Sequence, residues 1–222
     1  MATKSEPTAK PRSPLSRDRV LRAAVALADA GGIDSLTMRK LGQELGVEAM
    51  SLYNHVANKD DILDGIIDLV FGEIDVPSER IEWKTEMRRR GISVRDVLVR
   101  HPWATSLMQS RTNPGPATLR HNDSVIGALR KSGFTIDMAA HAFSVLDSYI
   151  YGFALQQANL PSRTSEESEQ LARNILGQLP AEKYPYMAEM LTDHALRPGY
   201  DFAKEFEFGL DLILDGLERL RS

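Results

Sequence analysis

Apolar residues along this chain recur at helical spacing almost from end to end, with no convincing strand alternation. Val20, Leu21, Ala24, Val25 and Ala28 form the buried stripe of a first helix, capped by Ser16 and stopped after Ala30 by Gly31-Gly32. Met38, Leu41 and Leu45 mark one face of a short second helix. Gly46 follows it, where a helix needs a left-handed terminator. A third helix is expected from about Glu48 through His55, too short to be stable alone and too polar to be core. Asn58 caps a fourth, with Ile62, Leu63, Ile66, Ile67, Val70 and Phe71 turned inward and Pro77 at its end or in the loop beyond. From Trp83 the pattern predicts helices over about 83–100, 102–111, 115–132, 136–158, 166–178, 182–195 and 201–221. Pro or Gly sits in the breaks between them, and residues 159–170 read as a polar loop. The fold class is all-α.

Two later helices carry seam-like spacings. Ala139, Phe143, Leu146, Ile150 and Phe153 repeat in steps of four and three, as do Phe202, Phe206, Leu210, Ile213, Leu217 and Leu220. Pattern alone is served equally by an internal core and by a subunit interface. The last helix is also apolar at Phe208 and Leu212, off its main stripe, so it needs two partners.

The 222 residues contain no cysteine, which excludes a disulfide framework and cysteine-ligated metal. The amino terminus lacks the apolar core of a secretory signal, and no apolar run spans a membrane, so a cytoplasmic protein is expected. Net charge is −4, against a protein that coats nucleic acid indiscriminately. Yet residues 1–60 hold 9 Lys+Arg against 7 Asp+Glu, while the rest hold 18 against 24. That asymmetry suits a DNA-facing head on an acidic body. Residues 1–14 read as a disordered tail whose Lys4, Lys10 and Arg12 could add phosphate attraction.

The segment 35–59, SLTMRKLGQELGVEAMSLYNHVANK, holds two short helices joined by a Gly-containing turn, the outline of a helix-turn-helix. Its Leu36-Thr37-x-Arg39-Lys40-Leu41, Leu45-Gly46-Val47 and Leu52-Tyr53-x-His55-Val56-x-Asn58-Lys59 resemble the TetR family of bacterial repressors over roughly residues 16–73. Beyond that, length and helical pattern are most similar to the tetracycline-repressor subgroup. The resemblance implies a helix-turn-helix head over 15–60, a connecting helix over 61–76 and a helical ligand-binding and dimerisation domain over 77–222. It implies a homodimer on a palindromic double-stranded operator, released by a small hydrophobic effector. It also implies DNA contacts from Thr37, Arg39, Ala49, Met50, Ser51, Tyr53, Asn54, His55 and Lys59. Tyr53 could instead pack in the head's core, and Arg39 could pair with Glu44 or Asp34. Ala49 and Met50 cannot make bidentate bonds to a base, so they could only touch thymine methyls or exclude wrong bases. The tetracycline repressors carry a glutamine and a proline there, so the operator sequence does not transfer.

Candidate effector contacts are Met87, Trp103, Leu107, Met108, Arg111, Asn122, Phe143, Asp147 and Tyr151, with Trp103 and Arg111 foremost. The subunit interface implied by the family falls on Phe143, Leu146, Ile150, Phe153, Phe206, Leu210, Ile213 and Leu217. Tetracycline repressors hold drug and magnesium with histidines in stretches that here read Glu73-Ile74-Asp75 and Ser106-Leu107-Met108-Gln109. No metal site and no cofactor are expected. An all-helical enzyme lacks any placed catalytic constellation, since His141 with Asp147 reads as structural. An adaptor that has lost DNA binding is the remaining rival.

Overall fold

Ser16 accepts a hydrogen bond from the Arg19 amide at 3.3 Å and opens the first helix, α1 (Arg17–Gly31). Described here from a computed structural model, the protein is defined over residues 14–78, 82–161 and 164–221. The tail expected at 1–14 lies outside them except for Pro14. Among the described residues there are helices and no strand, so the all-α class holds. The chain divides into two compact units between Ile66 and Ile67.

The first unit holds α1, α2 (Met38–Leu45), α3 (Ala49–Leu52) and the start of α4 (Lys59–Phe71). Thr37 caps α2 through its hydroxyl, which accepts from the Lys40 amide at 3.2 Å. Gly46 ends α2 at φ 69°, the left-handed terminator that the sequence predicts. The core is Val20, Leu21, Ala24, Ala28, Leu36, Leu41, Leu45, Leu52, Val56, Ile62 and Ile66, all buried. Gly42 lets α2 and α3 approach: a Cβ there would lie 2.9 Å from the Val47 carbonyl oxygen and 3.1 Å from the Ala49 nitrogen. The third helix is shorter than expected. Past Leu52 the amides of Tyr53, Asn54 and His55 reach back three residues, to Met50, Ser51 and Leu52, so the chain tightens into turns. The expected connecting helix at 61–76 is also displaced: α4 starts at Lys59 and ends at Phe71, and the division of units falls inside it.

The second unit contains α5 (Trp83–Arg100), α6 (Ala104–Ser110), α7 (Pro116–Lys131), α8 (Ile136–Asn159), α9 (Ser165–Gln178), α10 (Pro185–Met190) and α11 (Phe202–Leu220). A single π-helical turn, Leu191–Ala195, follows α10. The loop expected to run to residue 170 is cut short by a capping box in which Thr164 and Glu167 bond each other's backbone amides. Helices α5, α8 and α11 pack against one another. Gly91 admits Leu210, whose nearest methyl would lie 2.8 Å from an added Cβ. Basic residues one and then two turns apart on α5 meet acceptors on α11: Lys84 with Asp215, Arg88 with Asp211 (2.8 Å) and Glu207 (2.6 Å), and Arg95 with the Ala203 carbonyl (3.1 Å). That order fixes the two helices as antiparallel in one register.

Six of the eight positions expected at a subunit interface are taken up inside the chain. Leu146, Ile150, Phe153, Phe206, Leu210 and Leu217 are buried within the single chain, while Phe143 and Ile213 are half-buried. Phe153 stacks on Phe202 at 4.8 Å, and the Tyr149 ring stacks on Phe206 at 5.5 Å. The reason is that α8 and α11 satisfy each other's stripes within the subunit. Their outward faces stay open, with Val145 and Leu155 on α8 and Phe208 and Leu212 on α11 exposed.

Candidate nucleic-acid interface and effector site

The head presents polar and flexible side chains over a packed base. Leu52 and Val56 supply the buried side of α3 and its following turn. Met50 is 75% exposed and Tyr53 46%, which places Tyr53 at the surface rather than in the head's core. Thr37, Arg39, Asn54 and Lys59 are exposed, and Ala49, Ser51 and His55 are half-buried. Among the described residues, the side chains of Arg39, Asn54, His55 and Lys59 make no hydrogen bond or ion pair, so Arg39 does not pair with Glu44 or Asp34. Asn58 caps α4 by accepting from the Asp61 amide at 2.8 Å, and Asp61 accepts from the Ala57 amide at 2.9 Å. Arg17 reaches Asp61 with two parallel bonds of 2.7 and 2.6 Å. Those bonds hold the Asp61 carboxyl below its usual range despite partial burial. They also fasten α1 to the first turn of α4, beside Lys59. The arrangement offers uncommitted cation and donor groups at a helix amino terminus, the chemistry that binds phosphate.

The interior of the second unit holds a polar cluster. Arg90, only 1% exposed, donates from Nε to His121 Nε2 at 3.0 Å and from Nη2 to Asp147 Oδ1 at 2.6 Å. Its guanidinium lies 5.8 Å from the centre of the Phe143 ring. The Tyr151 hydroxyl is pushed well above the usual phenol range by burial and by the Asp147 carboxylate. His121 is buried against Phe71 from the end of α4, ring centres 5.6 Å apart. Burial, then the Arg90 charge, push its pKa down to about 3. Arg90 Nη1 and His121 Nδ1 are buried without a hydrogen-bond partner among the described residues.

Of the expected effector contacts, Phe143, Asp147 and Tyr151 meet in this cluster. Met87 is buried one turn before Arg90 on α5, and Asn122 is half-buried beside His121 in sequence. Leu107, Met108 and Arg111 are half-buried at the end of α6, and Trp103 packs edge-on against His101 at 6.0 Å. A cavity of about 530 Å³ lies elsewhere in this unit, bounded by Val99, Gln157, Leu160, Ser168 and Phe202, and none of the expected contacts lines it.

Arg90 and His121 escaped the sequence reading, yet both interrupt an apolar stripe. Arg90 stands between Trp83, Met87, Val94 and Val97, and His121 between Thr118, Val125 and Ala128, all buried. A charge or imidazole inside such a stripe is the signal.

Residues 20–66 match the family model described as "Bacterial regulatory proteins, tetR family". Residues 76–221 match "Tetracyclin repressor-like, C-terminal domain". The HTH-type transcriptional repressor DrrR1 of Streptomyces coeruleorubidus is 33% identical, the match covering 98% of this chain and 83% of that protein. The class G tetracycline repressor of Vibrio anguillarum is 29% identical, over 94% of this chain and 96% of its own. Among solved structures, the Streptomyces coelicolor TetR family protein ActR in complex with actinorhodin superposes with a TM-score of 0.77 at 29% identity, covering 95% of this chain and 100% of that one.

Proposed function

Because the chain belongs to the tetR family of bacterial regulatory proteins, it is a ligand-responsive DNA-binding repressor and not an enzyme, and we propose that it acts as a homodimer on a palindromic operator. Each subunit would place the turn around α3 in a major groove, with the two grooves ~34–36 Å apart. The carrying observation is the set of uncommitted side chains on the head, Arg39, Asn54, His55 and Lys59, beside the exposed Tyr53. Met50, with no hydrogen-bonding group, would read methyl surface rather than base edges.

The effector site in this reading is the cluster of Arg90, His121, Phe143, Asp147 and Tyr151. ActR has been crystallised with actinorhodin and with (S)-DNPA, and an organic small molecule is the effector class that we assign here. Such a ligand would act on the end of α4, where Phe71 lies on His121 and Asp68 accepts from the Thr118 amide at 2.9 Å. The same unbroken helix carries Lys59 in its first turn. A ligand that fits one arrangement of this end better than another shifts the population by its affinity difference, typically ~1–3 kcal/mol. In-vitro selection of bound DNA, followed by anisotropy titrations at two salt concentrations, tests the reading. It requires a palindromic consensus bound in a salt-sensitive complex. A helical adaptor would select nothing.

A further inference from the structure

One carboxylate ties three parts of the head together. Asp61 stands in the first turn of α4, and among the described residues its two oxygens accept three hydrogen bonds. Oδ1 takes Arg17 Nη2 at 2.6 Å, while Oδ2 takes Arg17 Nη1 at 2.7 Å and the Ala57 amide at 2.9 Å. Arg17 is the first residue of α1. Ala57 lies just past the turn that carries Tyr53, Asn54 and His55. That turn has no α-helical ladder of its own, because its amides reach back only three residues. Buried Leu52 and Val56 hold it from below, and the Ala57 bond holds its exit. The paired bonds of a guanidinium on a carboxylate fix orientation as well as distance. Asp61 is itself unsuited to touch DNA, since its charge repels phosphate and is already matched by Arg17.

We infer that Asp61 is a positioning residue for operator recognition: through Arg17 and the Ala57 amide it sets the recognition turn against α1 and the start of α4, without touching DNA. Base contacts need that turn already in place, whereas phosphate contacts to any sequence tolerate a loose one. The ion pair therefore contributes to the preference for the operator and not to DNA affinity in general. This rests on the reading of the turn after α3 as the base-facing element and of the α4 start as the phosphate-holding end.

The test uses the full chain and fluorescence anisotropy on two duplexes, the palindrome recovered by in-vitro selection and a scrambled sequence of the same length, at several salt concentrations. Arg17→Met with Asp61→Leu removes the pair as a unit and leaves the net charge unchanged. Operator affinity should fall about tenfold, with scrambled-duplex affinity and both salt slopes unchanged. A pair that only stabilises the fold would lower the active fraction, and binding to both duplexes would fall together. That outcome overturns the inference, as does unchanged operator affinity. Asp61→Leu alone should also weaken the operator complex. Tighter binding of both duplexes with a steeper salt slope would mean that Asp61 merely withholds Arg17 from DNA, and overturns it too. Should the double variant unfold by circular dichroism, Asp61→Asn takes its place: it keeps the volume and an acceptor for Ala57 but opposes an N–H to Arg17, and the operator preference should still fall. Lys59→Ala is titrated alongside. An unchanged salt slope there counts against the phosphate reading of the α4 start and leaves Asp61 to be judged by the ratio of the two duplexes.

Discussion

His121 is held neutral by its surroundings, and that makes it a source of acid sensitivity. Its pKa falls to about 3 in the folded chain, because burial and the Arg90 charge both disfavour imidazolium. The unfolded chain, with an ordinary value of ~6.5, takes up the proton first as the pH drops. The contribution of His121 to stability is therefore complete above that value and lost on acidification, at up to about 1.4 kcal/mol per pH unit. Urea denaturation at pH 7 and pH 5 should show the wild type losing about 2 kcal/mol more than His121→Gln. Equal losses would mean that the histidine is not held neutral. At the DNA surface, Lys59→Ala should weaken binding to every sequence and lower the salt slope by about one unit per subunit. Loss of operator affinity with non-specific binding intact would exclude a phosphate role for Lys59. The two residues differ in legibility. Lys59 stands in a recognisable local string, Asn58-Lys59 at a helix start. Arg90 and His121 lie 31 positions apart, on helices that only the tertiary fold brings together.

At the scale of elements, the crossing of α2 and α3 depends on one missing side chain. A Cβ on Gly42 would press on backbone, the Val47 oxygen at 2.9 Å and the Ala49 nitrogen at 3.1 Å, which cannot swing aside as a side chain can. Gly42→Ala gains about 1 kcal/mol in helix propensity but costs ~1–3 kcal/mol in overpacking. Operator affinity should fall at least about tenfold, since the recognition turn is pushed out of place, and thermal denaturation should show no stabilisation. A variant with higher Tm and full affinity would show that the crossing has slack. Helix limits were legible in the sequence wherever punctuation was strong: Ser16, Gly46 and Asn58 all cap or end helices as read. They were not legible at α3, where nothing in the sequence marks the stop at Leu52. The spacing on α8 and α11 was equally plain, but a seam of period 3.5 reads the same whether its partner is in the chain or in another copy. Burial of Leu146 and Phe206 decides for the chain.

At the scale of the whole molecule, the face left over by that joint carries the last prediction. Phe208 and Leu212 lie one turn apart on α11 and are 70% and 64% exposed. On α8, Val145 and Leu155 are exposed, and Gly152 has open space where a side chain would be. Two helices packed side by side, each with exposed apolar residues, would make half of a four-helix bundle, which a second copy would complete by two-fold symmetry in the dimer proposed above. A palindromic operator requires the same symmetry, since one head reads one half-site. Phe208→Glu with Leu212→Glu places four like charges at the axis of such a dimer and leaves each subunit's own core untouched. Sedimentation should then show monomers with unchanged helical content. Operator affinity should fall by at least about a hundredfold, because the second head no longer binds as part of the same molecule. Binding to a single half-site at low salt should survive. A double variant that still sediments as a dimer would move the interface elsewhere, and a monomer with full operator affinity would remove the need for one.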